Sequence, residues 1–112
     1  MITVIIERNY RDDIVFFSVS GHAQYAQEGE DIVCAAVSSI VQTAVFGLGS
    51  YLELEPEVEK KDGQLSCRLK AKTAAKEEVK AILETMVVGL KKTEKKHSSY
   101  LKIKKERGTT DD

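Results

Sequence analysis

The sequence predicts a single α+β domain in the order ββαββα(β), with a sheet packed by a central apolar helix and a second amphipathic helix. Apolar residues alternate with period two in short segments, which is typical of half-buried strands. A nearly continuous apolar run covers residues 32–46, and residues 79–90 carry apolar side chains at spacings of three and four. A chain of 112 residues has the size of one domain with its own core.

The first elements are predicted to form a β-hairpin. Ile2, Val4 and Ile6 recur at period two, and the polar segment 9–13 then supplies a turn. Segment 14–20 is apolar on both faces at its start, so we expect it to be buried on both sides there.

The central helix is predicted over residues 32–46, where apolar side chains cover most of the helix surface. Asp31 can cap its N-terminus, and Gly47 and Gly49 are natural stops. A helix so apolar is expected to lie at the centre of the fold.

A second hairpin and a second helix follow. Residues 52–58 alternate but contain the lone proline, which indicates a broken or edge strand, and 61–63 form a turn. Residues 65–69 alternate as a half-buried strand. The apolar stripe of the second helix begins at about residue 74, and 100–103 form a last short strand among lysines.

The domain is expected to span residues 1–107, with 108–112 as a disordered tail. The N-terminus lacks the basic start and the cleavage site of a signal peptide, and no apolar stretch is expected to be long enough to cross a bilayer. We therefore expect a cytoplasmic protein with no membrane contact. In that reducing compartment Cys34 and Cys67 are expected to be free thiols.

Charge is uneven along the chain although the net charge is only −1. Residues 1–58 carry two basic and nine acidic side chains, and residues 59–112 carry fifteen and nine. The excess of basic residues in the second half has two interpretations. It belongs either to a solvated helix end and an edge strand protected by lysines, or to a weak electrostatic surface for an acidic or ribosome-associated partner. No direct nucleic-acid binding is expected, because aromatic residues are not interleaved with the basic ones. The basic excess lies in Lys91, Lys92, Lys95, Lys96, Lys102, Lys104, Lys105 and Arg107.

His22 and Cys34 are the candidate catalytic residues. If Asp31 caps the helix, Cys34 is its third residue, where free amides and the macrodipole favour a thiolate and could stabilise an oxyanion. His22 closes a strand and could accept the thiol proton and later protonate a leaving amine. A cysteine hydrolase is the leading hypothesis, and a cysteine that merely packs in the core is the alternative.

Four further residues are candidates for supporting roles. Asp31 either caps the helix or orients His22, and Ser38 either touches the site or bonds back to a helix carbonyl. Gly21 would let the backbone turn sharply before His22. Gly29 would give the connecting loop freedom to close over a substrate, although ordinary turn roles stay open for both glycines.

No metal and no cofactor are predicted. Metal binding by His22, Cys34, Cys67 and His97 is not expected, since no pair of them has the close spacing that marks zinc sites. Cys67 is expected to pack in a strand, and His97 to lie at a lysine-rich helix end, where it favours the dipole.

The run from Gly21 to Ser38 reads Gly-His-Ala-x-x-Ala-x-x-Gly-x-Asp-Ile-Val-Cys-Ala-Ala-Val-Ser. It closely resembles the signature of the ribosomal-processing cysteine protease family, called Prp, and the resemblance extends over nearly the whole chain. It maps the family's catalytic histidine and cysteine onto His22 and Cys34, and its motif aspartate and serine onto Asp31 and Ser38.

The resemblance implies a cysteine endopeptidase that removes the N-terminal extension of large-subunit ribosomal protein twenty-seven during ribosome assembly. It also implies cleavage after a motif with paired phenylalanines and an alanine, an apolar groove beside Cys34, a closing loop and a homodimer. Pairing of the extended peptide with a sheet edge is a hypothesis for binding. The competing hypothesis is a non-enzymatic ribosome-associated binding module that docks through the basic C-terminal half.

Overall fold

The computed structural model describes residues 1–21 and 28–108 and confirms the α+β class, with a five-stranded sheet and helices. A π-helical turn, Gly47–Tyr51, directly continues the first helix. The regular elements are β1 Ile2–Arg8, β2 Ile14–Ser20, α1 Glu28–Phe46, β3 Glu57–Lys61, β4 Gln64–Arg68, α2 Ala71–Ala74, α3 Glu77–Lys96 and β5 Leu101–Arg107.

The strands lie in the order β3-β4-β2-β1-β5, so β3 and β5 are the edges. The predicted hairpins β1–β2 and β3–β4 are antiparallel, and β4 joins them by pairing antiparallel with β2. β5 pairs parallel with β1, because α3 returns the chain to the end where β1 begins. The amide of Ile2 donates to the Tyr100 carbonyl at 2.8 Å at that end.

Alternation along β1 explains the position of the core. Ile2, Val4 and Ile6 are buried, whereas the residues between them are only half-buried. They belong to one cluster with the buried residues of β2, β4 and the helices, including Val33, Val37, Val41, Leu48, Cys67, Val79, Leu83 and Leu90. Each large aliphatic side chain buried in this way contributes about 1.5–3 kcal/mol to folding.

α1 begins earlier than predicted. It starts at Glu28, so Asp31 lies inside its first turn and the prediction that Asp31 is the N-cap is wrong. The Asp31 carboxylate in this turn favours a helix N-terminus through the macrodipole. The α-helix ends at Phe46, as the two glycines predicted, but the chain continues through the π-helical turn before it leaves the helix axis.

One face of α1 is buried and another is exposed, so the expectation of a helix buried on most of its surface is only partly met. Val33, Val37 and Val41 are in the core, whereas Ile32 and Phe46 are 60% and 61% exposed. The helical run Asp31–Tyr51 also has the length and apolar composition that a bilayer span needs, contrary to the sequence expectation. Core helices of water-soluble proteins pass the same test, so this single run is weak support for a span.

The C-terminal half differs from the prediction mainly at element ends. The strand expected over 52–58 begins only at Glu57, and a short helix that was not predicted, α2, precedes the long second helix α3. β5 extends to Arg107, beyond the predicted 103. Gly108 donates its amide to the Arg8 carbonyl at 2.8 Å and so belongs to the domain, while the rest of the predicted tail, 109–112, lies outside the described residues.

α3 is fixed to the sheet by apolar and ionic contacts. Its predicted stripe is confirmed, with Val79, Leu83, Met86, Val87 and Leu90 buried. Arg8 of β1 donates two hydrogen bonds to the Glu84 carboxylate, at 2.6 and 2.8 Å. These bonds lower the pKa of Glu84, so the pair holds α3 against β1 while the carboxylate is ionised.

Candidate active site

A hollow of about 260 Å³ lies between α1 and the ends of β2, β3 and β4. Cys34, Ser38 and Gln42 follow one another at spacings of four along α1, so they form one stripe of the helix on one side of the hollow. Val19 and Leu65, which are direct partners across β2 and β4, lie on the sheet side with Val41 from the helix. The remaining lining residues are Gly21, Lys60, Lys61, Gly63 and Gln64.

Cys34 is a half-buried free thiol that packs against the core. It is the seventh residue of α1 when counted from Glu28, not the third as predicted. The amides that an α-helix leaves unpaired belong to its first turn, which here precedes Cys34. The proposed oxyanion donors at the helix start therefore lie one turn away from the sulfur, and the macrodipole acts on it less strongly than the sequence suggested.

His22 lies outside the described residues, but Gly21, which precedes it in the chain, lines the same hollow as Cys34. Gly21 has a φ of +91°, a left-handed conformation that only glycine adopts readily. A Cβ at this position would overlap the Met1 carbonyl oxygen. The Gly21 amide donates to the Gly63 carbonyl at 3.1 Å, which joins the end of β2 to the β3–β4 turn.

Ser38 lines the hollow one turn after Cys34, and it is half-buried. Thr85 and Thr93 donate their hydroxyls to the carbonyl four residues earlier, at 2.7 and 2.8 Å. Within residues 1–21 and 28–108 the Ser38 hydroxyl makes no such bond, so the expected bond back to the helix is not observed. Its position in the hollow fits the other reading, in which Ser38 faces the site.

The other two supporting candidates occupy places that differ from those expected. Asp31 is exposed in the first turn of α1. Gly29 belongs to the same turn and not to the connecting loop, and a Cβ there would come within 2.9 Å of the Tyr100 hydroxyl oxygen. The proposed freedom of the loop therefore does not arise from Gly29, which instead permits close packing of α1 against Tyr100.

Cys67 is buried in β4 among core residues, as predicted. Burial raises the pKa of this thiol to about 12, because the surrounding core cannot solvate a thiolate. Cys67 is therefore protonated and unreactive at neutral pH. In the part of the chain that the structure describes, no three His, Cys, Asp or Glu side chains are grouped so that they could hold a metal ion.

The raised pKa of Cys67 predicts a loss of stability in strong alkali. Below pH 9.0, the ordinary pKa, the thiol is protonated in both states and has no effect. Between there and about 12 the unfolded chain loses this proton while the folded chain keeps it, so the free energy of unfolding falls by up to about 1.4 kcal/mol per pH unit. Urea unfolding from pH 8 to 11 should show a shallower decline for Cys67→Ala, and equal slopes would contradict the prediction.

The sequence matches the protein family described as Cysteine protease Prp over residues 1–102. The chain belongs to the Prp family. The ribosomal processing cysteine protease Prp of Bacillus subtilis (strain 168) is 27% identical over 107 residues, which covers 92% of this chain and 96% of that protein.

Two crystal structures of the essential ribosomal processing protease Prp from S. aureus have the same fold. The complex with a substrate peptide has a TM-score of 0.87 at 26% identity, and the complex with a covalently linked product peptide has a TM-score of 0.80 at 27% identity. Each match covers 95% of this chain and 100% of the crystallised one.

Family membership makes this chain a cysteine protease. It rules against the competing hypothesis of a non-enzymatic binding module. Sequence analysis missed Gln42 on the α1 side of the hollow, and Lys60, Lys61 and Gln64 on the opposite side. Lys60, Lys61 and Gln64 lie at a predicted hairpin turn, and only the pairing of β4 with β2 brings that turn opposite Cys34.

Proposed function

We propose that this protease removes the N-terminal extension of large-subunit ribosomal protein twenty-seven in the cytoplasm, with Cys34 as nucleophile and His22 as general base and acid. The observation that supports this most directly is that Cys34 and Gly21, the residue next to His22, line one hollow. The chain is similar to an S. aureus protease that was crystallised with a substrate peptide and with a covalently linked product peptide.

The proposed reaction needs one proton carrier and one nucleophile. The His22 imidazole takes the thiol proton, and the Cys34 sulfur attacks the carbonyl carbon of the scissile peptide bond. The C–N bond then breaks as the imidazolium returns the proton to the leaving amine. Water activated by the same imidazole hydrolyses the thioester, which frees the second product and restores the thiol.

The shape of the hollow agrees with an apolar substrate side chain next to the scissile bond. Val19, Val41 and Leu65 give it an apolar floor, and its volume of about 260 Å³ has room for one large side chain. Substrate residues such as the paired phenylalanines implied by the resemblance would gain about 1.5–3 kcal/mol each if they were buried fully.

The test is cleavage of ribosomal protein twenty-seven with and without its N-terminal extension, followed by intact-protein mass spectrometry. We expect one cut in the extended form and none in the form that lacks the extension. Treatment with iodoacetamide at pH 7 should label Cys34 alone and stop the reaction, because Cys67 is buried and protonated. No cut, or several unrelated cuts, would refute the proposed substrate.

We also propose that the enzyme is a homodimer that associates through an apolar face of α1 and α3. A hollow of about 760 Å³ on this face is lined mainly by small and apolar residues, including Ser39, Thr43 and Gly47 of the first helical run and Ala81, Thr85 and Gly89 of α3. Phe46, Tyr51 and Val88 are 61%, 82% and 53% exposed in the single chain. Small residues permit close approach of the helices of a second copy, and burial of the large ones would drive association.

Phe46→Glu should convert this dimer into a monomer, because an unpaired carboxylate would be buried in an apolar interface. Sedimentation velocity at micromolar concentration measures the change. Val58→Glu is the matched control, since Val58 is also an exposed apolar residue but lies on the edge strand β3. A wild-type monomer, or a Phe46→Glu dimer, would contradict the proposed surface.

A further inference from the structure

We propose that Lys60 selects substrates by binding an acidic side chain of the peptide close to the scissile bond. This inference rests on the proposed function at Cys34. It assigns a specificity role to a residue of the β3–β4 hairpin, on the opposite side of the hollow from Cys34.

Strand register directs Lys60 toward the hollow. Lys60 pairs with Leu65 across β3 and β4, and Leu65 pairs with Val19 across β4 and β2. Direct partners across neighbouring strands point to the same face of a sheet. Val19 and Leu65 line the hollow together with Cys34, so the Lys60 side chain extends the same row to its edge.

The cations at this edge have little opposing charge. Lys60 lines the hollow, and the described lining residues include no Asp or Glu. Neither Lys60 nor Lys61 forms an ion pair with any residue of 1–21 or 28–108. Lys60, whose side chain faces the hollow, is therefore available to a carboxylate that a substrate brings.

Glu59, Asp62 and Asp31, three carboxylates of the elements around the hollow, do not face Lys60 inside it. Glu59 precedes Lys60 in β3 and points to the opposite face of the sheet, because successive strand residues alternate. Asp62 lies in the exposed β3–β4 turn, and Asp31 is exposed one turn before Cys34 on α1. None of the three lines the hollow, so none occupies the position that a substrate carboxylate would take.

The position of Lys60 separates charge selection from apolar recognition. The floor of the hollow is apolar and takes a large side chain, whereas Lys60 belongs to the exposed edge strand at the solvent side. Long lysine side chains of this kind adjust to ligands that differ by a residue in register. An exposed pair of this type is expected to change kcat/KM by about threefold, and by more when repulsion replaces attraction.

The experiment uses the full-length enzyme and a set of peptides that share one cleavable motif. Each residue flanking the motif is changed in turn to Glu, Gln or Lys, and kcat/KM is measured by competition and mass spectrometry. We expect at least one position where Glu is preferred over Gln by about threefold to tenfold, mainly through KM, and where Lys is disfavoured. The preference should shrink in 0.5 M salt, because exposed charges are screened.

Lys60→Glu should reverse the preference at that position, so that the Lys peptide becomes the better substrate, and Lys60→Gln should remove it. Lys72→Glu is the matched control, because Lys72 is an exposed lysine of α2 that does not line this hollow. Cleavage without any charge preference, or a preference that Lys60→Glu leaves unchanged, overturns the inference while leaving the protease assignment intact. If no peptide is cleaved by the wild type, the proposed function fails as well.

Discussion

Cys34→Ala is expected to reduce cleavage of the extended ribosomal protein by more than about 10⁴-fold, because Cys34 is the only thiol among the described residues that line the hollow. Ser38 lies one turn away with a hydroxyl in place of a thiol, and it lacks the acidity that makes a thiol a nucleophile at neutral pH. Single-turnover assays with excess enzyme, read by mass spectrometry, give the sensitivity that this range requires. His22→Ala should lower the rate by a similar factor if it is the base.

Two variants serve as controls for the loss of the thiol. Cys67→Ala should cleave at nearly the wild-type rate under conditions where it is folded, because Cys67 is buried in β4 and does not line the hollow. Ser38→Ala should retain most activity if the serine only shapes the site. Normal cleavage by Cys34→Ala would disprove the proposed mechanism, whereas loss of activity in Cys67→Ala with an intact fold would show that the wrong cysteine has been assigned.

Gly21→Ala is expected to lower both stability and activity. At a φ of +91° an L-residue costs about 1–2 kcal/mol, and the added Cβ must also displace the Met1 carbonyl. The end of β2 would move away from the β3–β4 turn, and the backbone would leave Gly21 in a different direction just before His22, the residue proposed as the base. We expect a fall of several degrees in Tm and at least a tenfold loss in kcat/KM at a temperature where the variant is folded.

Gly49→Ala is the matched control for this substitution. Its Cβ would meet only the Leu54 carbonyl oxygen, at 4.0 Å, and Gly49 lies in a helical turn without a positive φ. Thermal unfolding by circular dichroism should therefore separate the two glycines clearly. If Gly21→Ala melts and cleaves like the wild type, the strained turn has no part in placing the site.

Local patterns in the sequence predicted the parts of the fold that depend on local periodicity. The alternation of Ile2, Val4 and Ile6 and the stripe from Val79 to Leu90 correspond to the observed β1 and α3. The start of α1 was missed because Glu28-Gly29-Glu30-Asp31 contains a glycine and no apolar residue. Such a segment looks like a loop until the tertiary contact of Gly29 with Tyr100 is known.

The sequence allowed us to predict only those residues of the candidate site that lie on α1 or in the family motif. Cys34 and Ser38 are four residues apart, so helical geometry alone places them together. Lys60 and Gln64 reach the hollow through the pairing of β4 with β2, which joins segments about 45 residues apart. No local pattern encodes such a pairing. The partial exposure of α1 could not be predicted from the sequence either, because an apolar helix face has the same sequence whether the core or another surface covers it.

The contact between Met1 and Gly21 has a practical consequence for protein production. An affinity tag fused ahead of Met1 would emerge beside Gly21, at the edge of the hollow that contains Cys34. A tag after the C-terminal segment would leave the domain from Gly108, which is bonded to Arg8 at the other end of β1, about 20 Å away along the strand. Purification handles for enzymology on this protein therefore belong at the C-terminus, or must be cut off completely before kinetics are measured.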